Sequence, residues 1–378
     1  MLAEVIDAVI GIDTHRDSHE VEIADKTGTP VARLRIGNDS AGFAQLLAAI
    51  AEVSPGPRVA VCIEGSRSYG IGLARALAAA GLLVIECEQP ARRQRRGKGK
   101  SDPIDAHLAV LAALRLDASR LPAPRADGDR EALRILLVAR QEITVACTAQ
   151  TGRLRALLLA GDDTDRQAAR KALTGTVLAA LADREVAAHA SREQAVRQAE
   201  IARLALALTR ARHQLKDNRA QLLAIAEDIA PGLTSRYGVG PISAAQAIVS
   251  FSHPGRCRNE ATFAALGGTS PIPASSGQTI RHRLNRGGDR NLNRAIHAIA
   301  LVRMRSCPRT RAYLARRTAE GKTPREIRRC LKRYIARELY RHLTRSMNPP
   351  VSPWRITTVN QTGFMIIYED RPQAPVGR

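Results

Sequence analysis

The pattern of apolar and polar positions predicts three strands within residues 7–37. The run AVIGID is almost continuously apolar, HEVEIAD alternates, and PVARLRIG alternates again after the turn KTGT. Strands joined by such short turns are expected to pair as antiparallel neighbours. The chain therefore begins with a predicted three-stranded meander.

Helical and strand patterns alternate after this meander. A helix is predicted at about 41–53, and a second helical pattern, YGIGLARALAAAG, lies between the apolar runs RVAVCIEG and LLVIECE. A further helix is predicted to begin at Pro103. Hairpin strands followed by alternating helix and strand indicate a mixed α/β sheet.

The pattern changes between about residues 126 and 228, where the chain is rich in Ala, Leu and Arg and poor in Gly. Apolar residues recur at spacings of three and four in two long runs, which predicts two long helices. The helices can pair antiparallel within a coiled coil, pair between subunits, or form a plain bundle within one subunit. Periodicity alone does not separate these arrangements.

Globular structure is predicted to resume at about residue 231, with helices and a loop rich in Ser, Gly and Arg, and to end near residue 346 in a Pro-rich tail. The fold class is therefore α/β plus α: a mixed-sheet domain, a long helical insertion and a mainly helical C-terminal domain. The predicted domains are 1–125, 126–228, 229–346 and the tail 347–378.

Charge points to a polyanionic partner. The 378 residues include 58 Lys and Arg against 36 Asp and Glu, a net charge of +22. A membrane is not favoured, because no apolar run of membrane-spanning length and no cationic leader occurs, so a cytoplasmic protein that binds DNA or RNA is expected. Aromatic residues make up 3% of the chain, so phosphate contacts rather than base stacking should dominate binding.

Four acidic residues follow predicted strands or open a predicted helix. Asp13 ends the first strand, Glu64 ends the fourth, and Asp102 and Asp105 lie at the start of the helix at Pro103. Carboxylates at one edge of a sheet repel one another unless a cation lies between them, and carboxylate oxygens favour Mg²⁺ or Mn²⁺. The alternative is structural: Asp102 is a helix N-cap and Asp105 the third residue of a capping box.

A cationic run directly precedes these two aspartates. Six of the ten residues 91–100 are basic: Arg92, Arg93, Arg95, Arg96, Lys98 and Lys100. We interpret the run as binding a nucleic-acid backbone against the edge where the acids hold a metal that acts on it.

Three segments, GIDTHRD, IEGSRSYG and KSDPIDA, in this order and separation, resemble the Asp-Glu-Asp-Asp (DEDD) transposases of bacterial insertion sequences, which are bridge-RNA-guided recombinases. The resemblance spans roughly residues 5–345. It implies a RuvC-like (RNase H-like) N-terminal domain whose metal ligands are Asp13, Glu64, Asp102 and Asp105. It also implies a helical coiled-coil insertion and a C-terminal transposase domain with a nucleophilic serine.

The same resemblance assigns the nucleophile. With Pro271 placed on the family's proline, Ser276 matches the catalytic serine, and Ser275 is its neighbouring competitor. Taken alone, a serine before glycine in a loop is usually a turn residue. Basic residues that follow are expected to steady a phosphate or to grip DNA without chemistry: Arg281, Arg283, Arg286 and Arg290.

These features predict a DNA transposase or recombinase that cuts and rejoins strands through a serine–DNA link. The resemblance implies donor and target DNA, a structured noncoding guide RNA, and a homo-oligomer, either a dimer or a tetramer. One alternative is a metal-dependent nuclease or junction resolvase that uses water as nucleophile. Another is a nucleic-acid-binding structural protein in which the acids are caps and the serine is a turn residue.

Overall fold

The computed structural model describes most of the chain. Side chains and backbone are described for residues 1–87, 104–118, 121–125, 127–185, 189–253, 255–272, 283, 285 and 287–347, and the backbone alone for 102, 103, 273 and 282. The described residues divide into two compact units. One contains Met1–Glu131, Phe251–Phe263 and the described residues from Leu343 on, and the other contains Ala132–Ser250 and Ala264–His342.

A five-stranded mixed sheet organises the first unit. Its order is β3-β2-β1-β4-β5, with β1 antiparallel to β2 and parallel to β4. The strands are β1 Ala8–Thr14, β2 Ser18–Asp25, β3 Pro30–Gly37, β4 Val59–Glu64 and β5 Leu83–Cys87. This arrangement confirms the meander and the mixed sheet that the sequence predicts.

Helices cover both faces of the sheet. Helices α1 (Ser40–Val53) and α2 (Ile71–Ala79) pack on the face that includes Ile12 and Ile63, here called the α1/α2 face. Helix α3 (Asp102–Leu114) packs on the opposite face, here called the α3 face, through Val110, Ala113 and Leu114. The ends that the sequence predicts for α1, α2 and the start of α3 lie within two residues of those in the structure.

Gly11 sets how closely α3 approaches the sheet. A β-carbon at this position would lie 2.1 Å from the carbonyl oxygen of Ala106 and 2.7 Å from a methyl carbon of Val110. Such distances are far shorter than any van der Waals contact, so only glycine lets the helix backbone lie directly on β1.

We expect Gly11→Ala to lower the free energy of unfolding by about 3 kcal/mol, because the helix must move away from the sheet. Gly152→Ala is the matched control, since Gly152 lies within a helix and a β-carbon there would meet no atom within 4 Å. That variant should be unchanged or more stable by about 0.5–1 kcal/mol. Urea denaturation of both variants checks the difference; equal stabilities would contradict the close packing.

The second unit contains two long helices, α4 (Gly128–Leu159, which begins in the first unit) and α7 (Arg192–Ile229). Two short helices that the sequence analysis did not predict, α5 (Asp163–Arg170) and α6 (Gly175–Ala182), lie between them. Apolar residues of all four helices share one core. The two long helices also contact each other within the chain, where Asn218 Nδ2 donates to the Leu136 carbonyl at 2.9 Å.

The remaining elements are shorter. They are α8 Pro241–Phe251, α9 Glu260–Leu266, β6 Ile272–Pro273, β7 His282–Arg283, α10 Arg290–Ser306, α11 Pro308–Ala319 and α12 Pro324–Ser346. The second unit joins the helical region to most of the C-terminal region, so the predicted boundary between 228 and 229 stays a prediction. The predicted tail, from 348 on, lies outside the described residues. None of the helices in the described part of the chain is long and apolar enough to span a membrane.

Candidate active site

Two of the predicted acids lie side by side at the carboxyl ends of neighbouring strands. The register of β1 and β4 pairs Ile12 with Ile63, so Asp13 and Glu64 are the next residues along each strand. Because side chains alternate along a strand, both acids point to the α3 face, opposite to the isoleucines before them. Thr14 Oγ1 donates to the Glu64 carbonyl at 2.7 Å and ties the two strand ends together.

Helix α3 brings Asp105 to the same edge. Its residue Ala106 lies against Gly11, whereas Ala113 and Leu114, further along the helix, share a cluster with Val9 near the start of β1. The helix therefore runs opposite to the strand, and its first turn lies over the end that carries Asp13. Asp105 is 7% exposed. Asp102 lies on that first turn, but its side chain is outside the described residues.

A contact between a buried carboxylate and an imidazole fixes the rotation of α3. Glu22 on β2 is 0% exposed, and its Oε1 lies 2.5 Å from His107 Nδ1 of the helix. Its Oε2 accepts from Arg33 Nε at 2.8 Å. Since His107 is two residues from Asp105, this contact holds the acid in place. The sequence alone does not reveal the contact between Glu22 and His107, because only the strand register shows that Glu22 lies beneath α3.

Two more titratable residues lie beside Asp13. Glu20 is paired directly across from Asp13 in the register of β1 and β2, which places both side chains on one face. Arg35 Nε approaches Glu20 Oε1 at 3.4 Å. His15 Nε2 lies 3.9 Å from Asp13 Oδ2, so the imidazole borders this acid. The sequence analysis did not single out Glu20.

The donor chemistry of this edge fits a hard divalent cation, since carboxylate oxygens are the ligands that Mg²⁺ and Mn²⁺ prefer. Asp13 and Glu64 share a face and an edge of the sheet, and Asp105 lies on the first turn of the helix over that edge. Among the described side chains, however, no three His, Cys, Asp or Glu residues lie close enough together to hold an ion as they stand. The side chain of the fourth predicted ligand, Asp102, is not among those described side chains.

The predicted nucleophile lies outside the described residues, which stop at 273 and resume at 282. On either side of this segment, β6 and β7 pair antiparallel, Ile272 with Arg283 and Pro273 with His282. Also outside the described residues are two of the predicted arginines, Arg281 and Arg286, and the whole cationic run from Arg92 to Lys100.

A cavity of about 380 Å³ adjoins the β6–β7 pair within the second unit. Two residues that the sequence analysis predicted to bind nucleic acid, Arg283 and Arg290, line it. Two further cations, Arg329 and Lys332 of α12, also line it and were missed, because helix periodicity does not show which face meets the loop. The walls of this cavity therefore carry four positive side chains.

Lys332 is held in a defined position. Its Nζ donates to Asn293 Oδ1 at 2.7 Å, and Asn293 Nδ2 donates to the Gly267 carbonyl at 2.6 Å. Burial, with a smaller effect from the charge of Arg328, lowers the pKa of Lys332 below its usual value. The ammonium is thus partly desolvated, so an anion in the cavity would interact with it more strongly than with a fully hydrated lysine.

Among the described residues that line this cavity one is acidic, Asp289, and it is already hydrogen-bonded. Its Oδ1 accepts from the backbone N–H groups of Asn291 and Leu292, which makes it the N-cap of α10. Its Oδ2 accepts from Ser250 Oγ at 2.6 Å. The four cations therefore give the described walls of the cavity a net positive charge.

Comparisons with known proteins agree on one family. A model of DEDD transposases of the IS110 type matches residues 10–160, and a model described as the transposase IS116/IS110/IS902 family matches residues 230–315. The chain is 26% identical over 358 residues to the IS900 42 kDa protein of Mycobacterium paratuberculosis, covering 82% of this chain and 89% of the relative.

Two relatives from Streptomyces coelicolor match over shorter segments. The IS110 43.6 kDa protein is 36% identical over 123 residues, which is 32% of this chain and 30% of the relative. A protein of the IS117 mini-circle is 32% identical over 154 residues, which is 39% of this chain and 37% of the relative.

The first family model covers all four predicted acids and the second covers Ser276, in the order that the sequence resemblance requires. The chain belongs to the IS110 family of transposases, enzymes that act on the DNA of insertion sequences.

Proposed function

We propose that this transposase cuts and rejoins DNA through a covalent link between Ser276 and a 5′ phosphate. The observation that carries the proposal is that Asp13 and Glu64 end neighbouring strands on the face of the sheet that is covered by the first turn of α3, which carries Asp105. A helix cap alone would not require acids from two separate strands to lie beside it. We take the set as the metal-binding half of a phosphoryl-transfer enzyme.

In this proposal Asp13, Glu64, Asp102 and Asp105 hold Mg²⁺ or Mn²⁺. When bound, the cation would supply positive charge to stabilise oxygens at the phosphorus as the strand is cut. The protein's own contribution is to hold the carboxylates in place: Thr14 ties the strand ends, and the Glu22–His107 pair holds α3. His15 and Glu20 border the acids and would modulate the charge around them.

The serine step conserves the energy of the phosphodiester bond. The Ser276 oxygen would attack phosphorus, the bond to the 3′ oxygen would break, and the hydroxyl proton would leave as the 3′ oxygen gains one. The products are a 5′-phosphoserine link and a free 3′ hydroxyl. Attack by another 3′ hydroxyl on that link would rejoin DNA and restore the serine.

Positive charge beside the β6–β7 pair supports this assignment. Arg283, Arg290, Arg329 and Lys332 line a cavity large enough for a phosphodiester, and this cavity adjoins the β6–β7 pair, which comes directly before and after the segment that contains Ser276 in the chain. Guanidinium and ammonium groups in such a place would bind the backbone phosphate and stabilise its developing charge. The basic run from Arg92 to Lys100, with Arg281 and Arg286, would add further backbone contacts.

We expect Lys332→Gln to lower the yield of DNA-linked protein by about tenfold, because it removes a partly buried cation that would face the phosphate. Arg337→Gln is the matched control, since Arg337 lies on the same helix but does not line the cavity. Gel quantification of linked protein at fixed DNA concentration measures both. Equal yields from the two variants would contradict the proposed binding of the backbone phosphate in this cavity.

The resemblance to bridge-RNA-guided recombinases extends the proposal to partners. We propose that a structured noncoding RNA selects donor and target DNA and that the protein works as a dimer or tetramer. A cytoplasmic, nucleoid-associated location belongs to the same proposal. The coiled-coil role of α4 and α7 and the four predicted domain ranges also stay proposals.

One incubation separates the proposal from its alternatives. The protein is mixed with junction DNA of its element, cognate RNA and Mg²⁺, then denatured and resolved on a gel. DNA covalently attached to protein supports the serine mechanism. Free cleaved ends without attachment support the alternative, a metal-dependent nuclease or resolvase that uses water, which the same acids would also serve. If neither product appears, the remaining alternative is a structural protein that binds nucleic acid.

A further inference from the structure

A second cavity, of about 480 Å³, lies among α4, α8 and α10 within the second unit. It adjoins the cavity beside the β6–β7 pair, because Asp289 at the start of α10 lines both. The first turns of α10 separate the two. Arg290 and Asn293 line the first cavity. Asn291 and Arg294, from the same turns, line the second. An extended ligand held in one cavity can therefore continue into the other.

Arg294 brings a positive charge to the second cavity. Its Nη1 donates to Gln141 Oε1 of α4 at 3.3 Å, and this acceptor is neutral. Within the part of the chain that the structure describes, no carboxylate forms an ion pair with Arg294. The side chain is exposed, and a guanidinium carries five N–H donors, so several of them can reach a ligand. The charge of Arg294 is therefore available to an anion.

Arg140 of α4 supplies a second cation, and neutral groups hold it in place. Its Nη1 donates to the Leu215 carbonyl of α7 at 2.9 Å and lies 3.4 Å from Asn218 Oδ1. Asn218 is buried, and its Nδ2 donates in turn to the Leu136 carbonyl. Burial, followed by the charge of Arg219, lowers the pKa of Arg140. The guanidinium remains charged but is partly desolvated, which strengthens its attraction for an anion.

The other polar residues of this cavity include donors and acids. Arg134 of α4 lines it, and so does the half-buried Ser243 in the first turn of α8, whose hydroxyl can donate to a phosphate oxygen. Among the described residues of the lining, two are acidic. Asp289 caps α10, and Glu142 is exposed on α4. The cavity thus offers cationic and hydroxyl donors, opposed by one exposed carboxylate.

We propose that the second cavity is a phosphate subsite, in which Arg140 and Arg294 hold the DNA backbone next to the phosphate bound at Lys332. Guanidinium groups match the geometry of phosphate oxygens. Phosphates follow one another along a strand, so a strand that lies in the first cavity needs a cationic place beside it for its neighbouring phosphates. Contacts of this kind position the strand and carry no chemistry. The choice of DNA as the ligand rests on the proposed function.

The salt dependence of DNA binding tests this subsite. Fluorescence anisotropy measures the affinity of the full chain for junction duplex DNA between about 50 and 200 mM salt, and each lost phosphate contact should reduce the slope of log affinity against log salt by about 0.9. We expect that reduction for Arg294→Gln, whereas Arg294→Lys keeps the charge and should keep most of the slope. Arg155→Gln is the matched control, because Arg155 is exposed on α4 about three turns beyond the cavity; its slope should not change.

Two neighbouring residues on α4 separate a binding role of Arg294 from a structural one. Gln141→Ala removes the acceptor of Arg294 but no charge, so the salt slope should stay as in the wild type. Glu142→Gln removes the exposed carboxylate, so the affinity for DNA should rise by about twofold at low salt. The same loss of slope in Gln141→Ala as in Arg294→Gln, or an affinity that Glu142→Gln does not raise, would make the contact structural and overturn the proposal.

An RNA duplex of the same sequence distinguishes the source of the phosphate. A slope that falls for RNA but not for DNA in Arg294→Gln would refute the assignment to DNA. An unchanged DNA slope in this variant, with a melting temperature equal to that of the wild type, would overturn the subsite itself. Failure of the serine mechanism would show instead as the absence of linked DNA from the wild type while the salt slopes keep their predicted difference.

Discussion

Replacing Ser276 with alanine should abolish DNA-linked protein. The substitution removes the only atom that can form the proposed bond to phosphorus, so the yield should fall by at least about a thousandfold. DNA affinity should stay within about twofold of the wild type, because a hydroxyl contributes little beside so many cations. Quantifying radiolabelled DNA attached to denatured protein gives the first value, and anisotropy gives the second.

Ser275→Ala is the control for this result. It changes the neighbouring serine in the same loop, and it should retain attachment within a few-fold of the wild type. Loss of attachment in Ser275→Ala and retention in Ser276→Ala would move the nucleophile by one residue. Attachment that survives in both variants would contradict a serine at this position altogether.

Removing a predicted metal ligand should stop strand cleavage while DNA still binds. Asp13→Asn and Glu64→Gln keep the size of each side chain but remove the charge that would hold a divalent cation. We expect cleavage to fall by at least about a hundredfold in each, and a chelator should have the same effect on the wild type. DNA affinity should hold or rise slightly, since each change removes a negative charge from a surface that faces phosphates.

Asp17→Asn serves as the matched control for these two variants. Asp17 lies in the turn between β1 and β2, is exposed and pairs with Arg16 at 2.9 Å. Its substitution therefore removes a carboxylate from the same edge without changing any predicted metal ligand. Its cleavage rate should match that of the wild type. Full cleavage by Asp13→Asn, or cleavage that a chelator does not change, would refute the metal assignment.

The elements that depend on local pattern could be predicted from the sequence. An almost continuous apolar run predicted β1, alternation predicted β2 and β3, and the Asp-Pro pair predicted the start of α3, because such signals need only neighbouring residues. The strand ends also indicated that Asp13 and Glu64 would share an edge. The parallel register of β1 and β4 confirms that expectation.

Features that depend on register or on helix docking could not be predicted in this way. Glu20 becomes a neighbour of Asp13 only through the pairing of β1 with β2, and Glu22 meets His107 only because α3 lies over β2. Lys332 follows Arg283, the last residue of β7, by more than forty residues in the chain, and only the packing of α12 brings it to the cavity.

The short helices α5 and α6 were missed for a different reason. Each has eight residues, which is too few for a convincing helical period. Their N-caps were readable, since Asp162 and Thr174 each accept from the backbone N–H three residues on. The capping residues were therefore the signal that could have found them, since α5 itself is largely polar.

Mapping the residue that carries DNA tests the central claim most directly. The protein is incubated with junction DNA, cognate RNA and Mg²⁺, digested with nuclease and protease, and the nucleotide-bearing peptide is sequenced by mass spectrometry. The account predicts a 5′-phosphodiester on Ser276. A nucleotide on any other side chain, or cleaved DNA with free 5′ phosphates and no modified peptide, would contradict it.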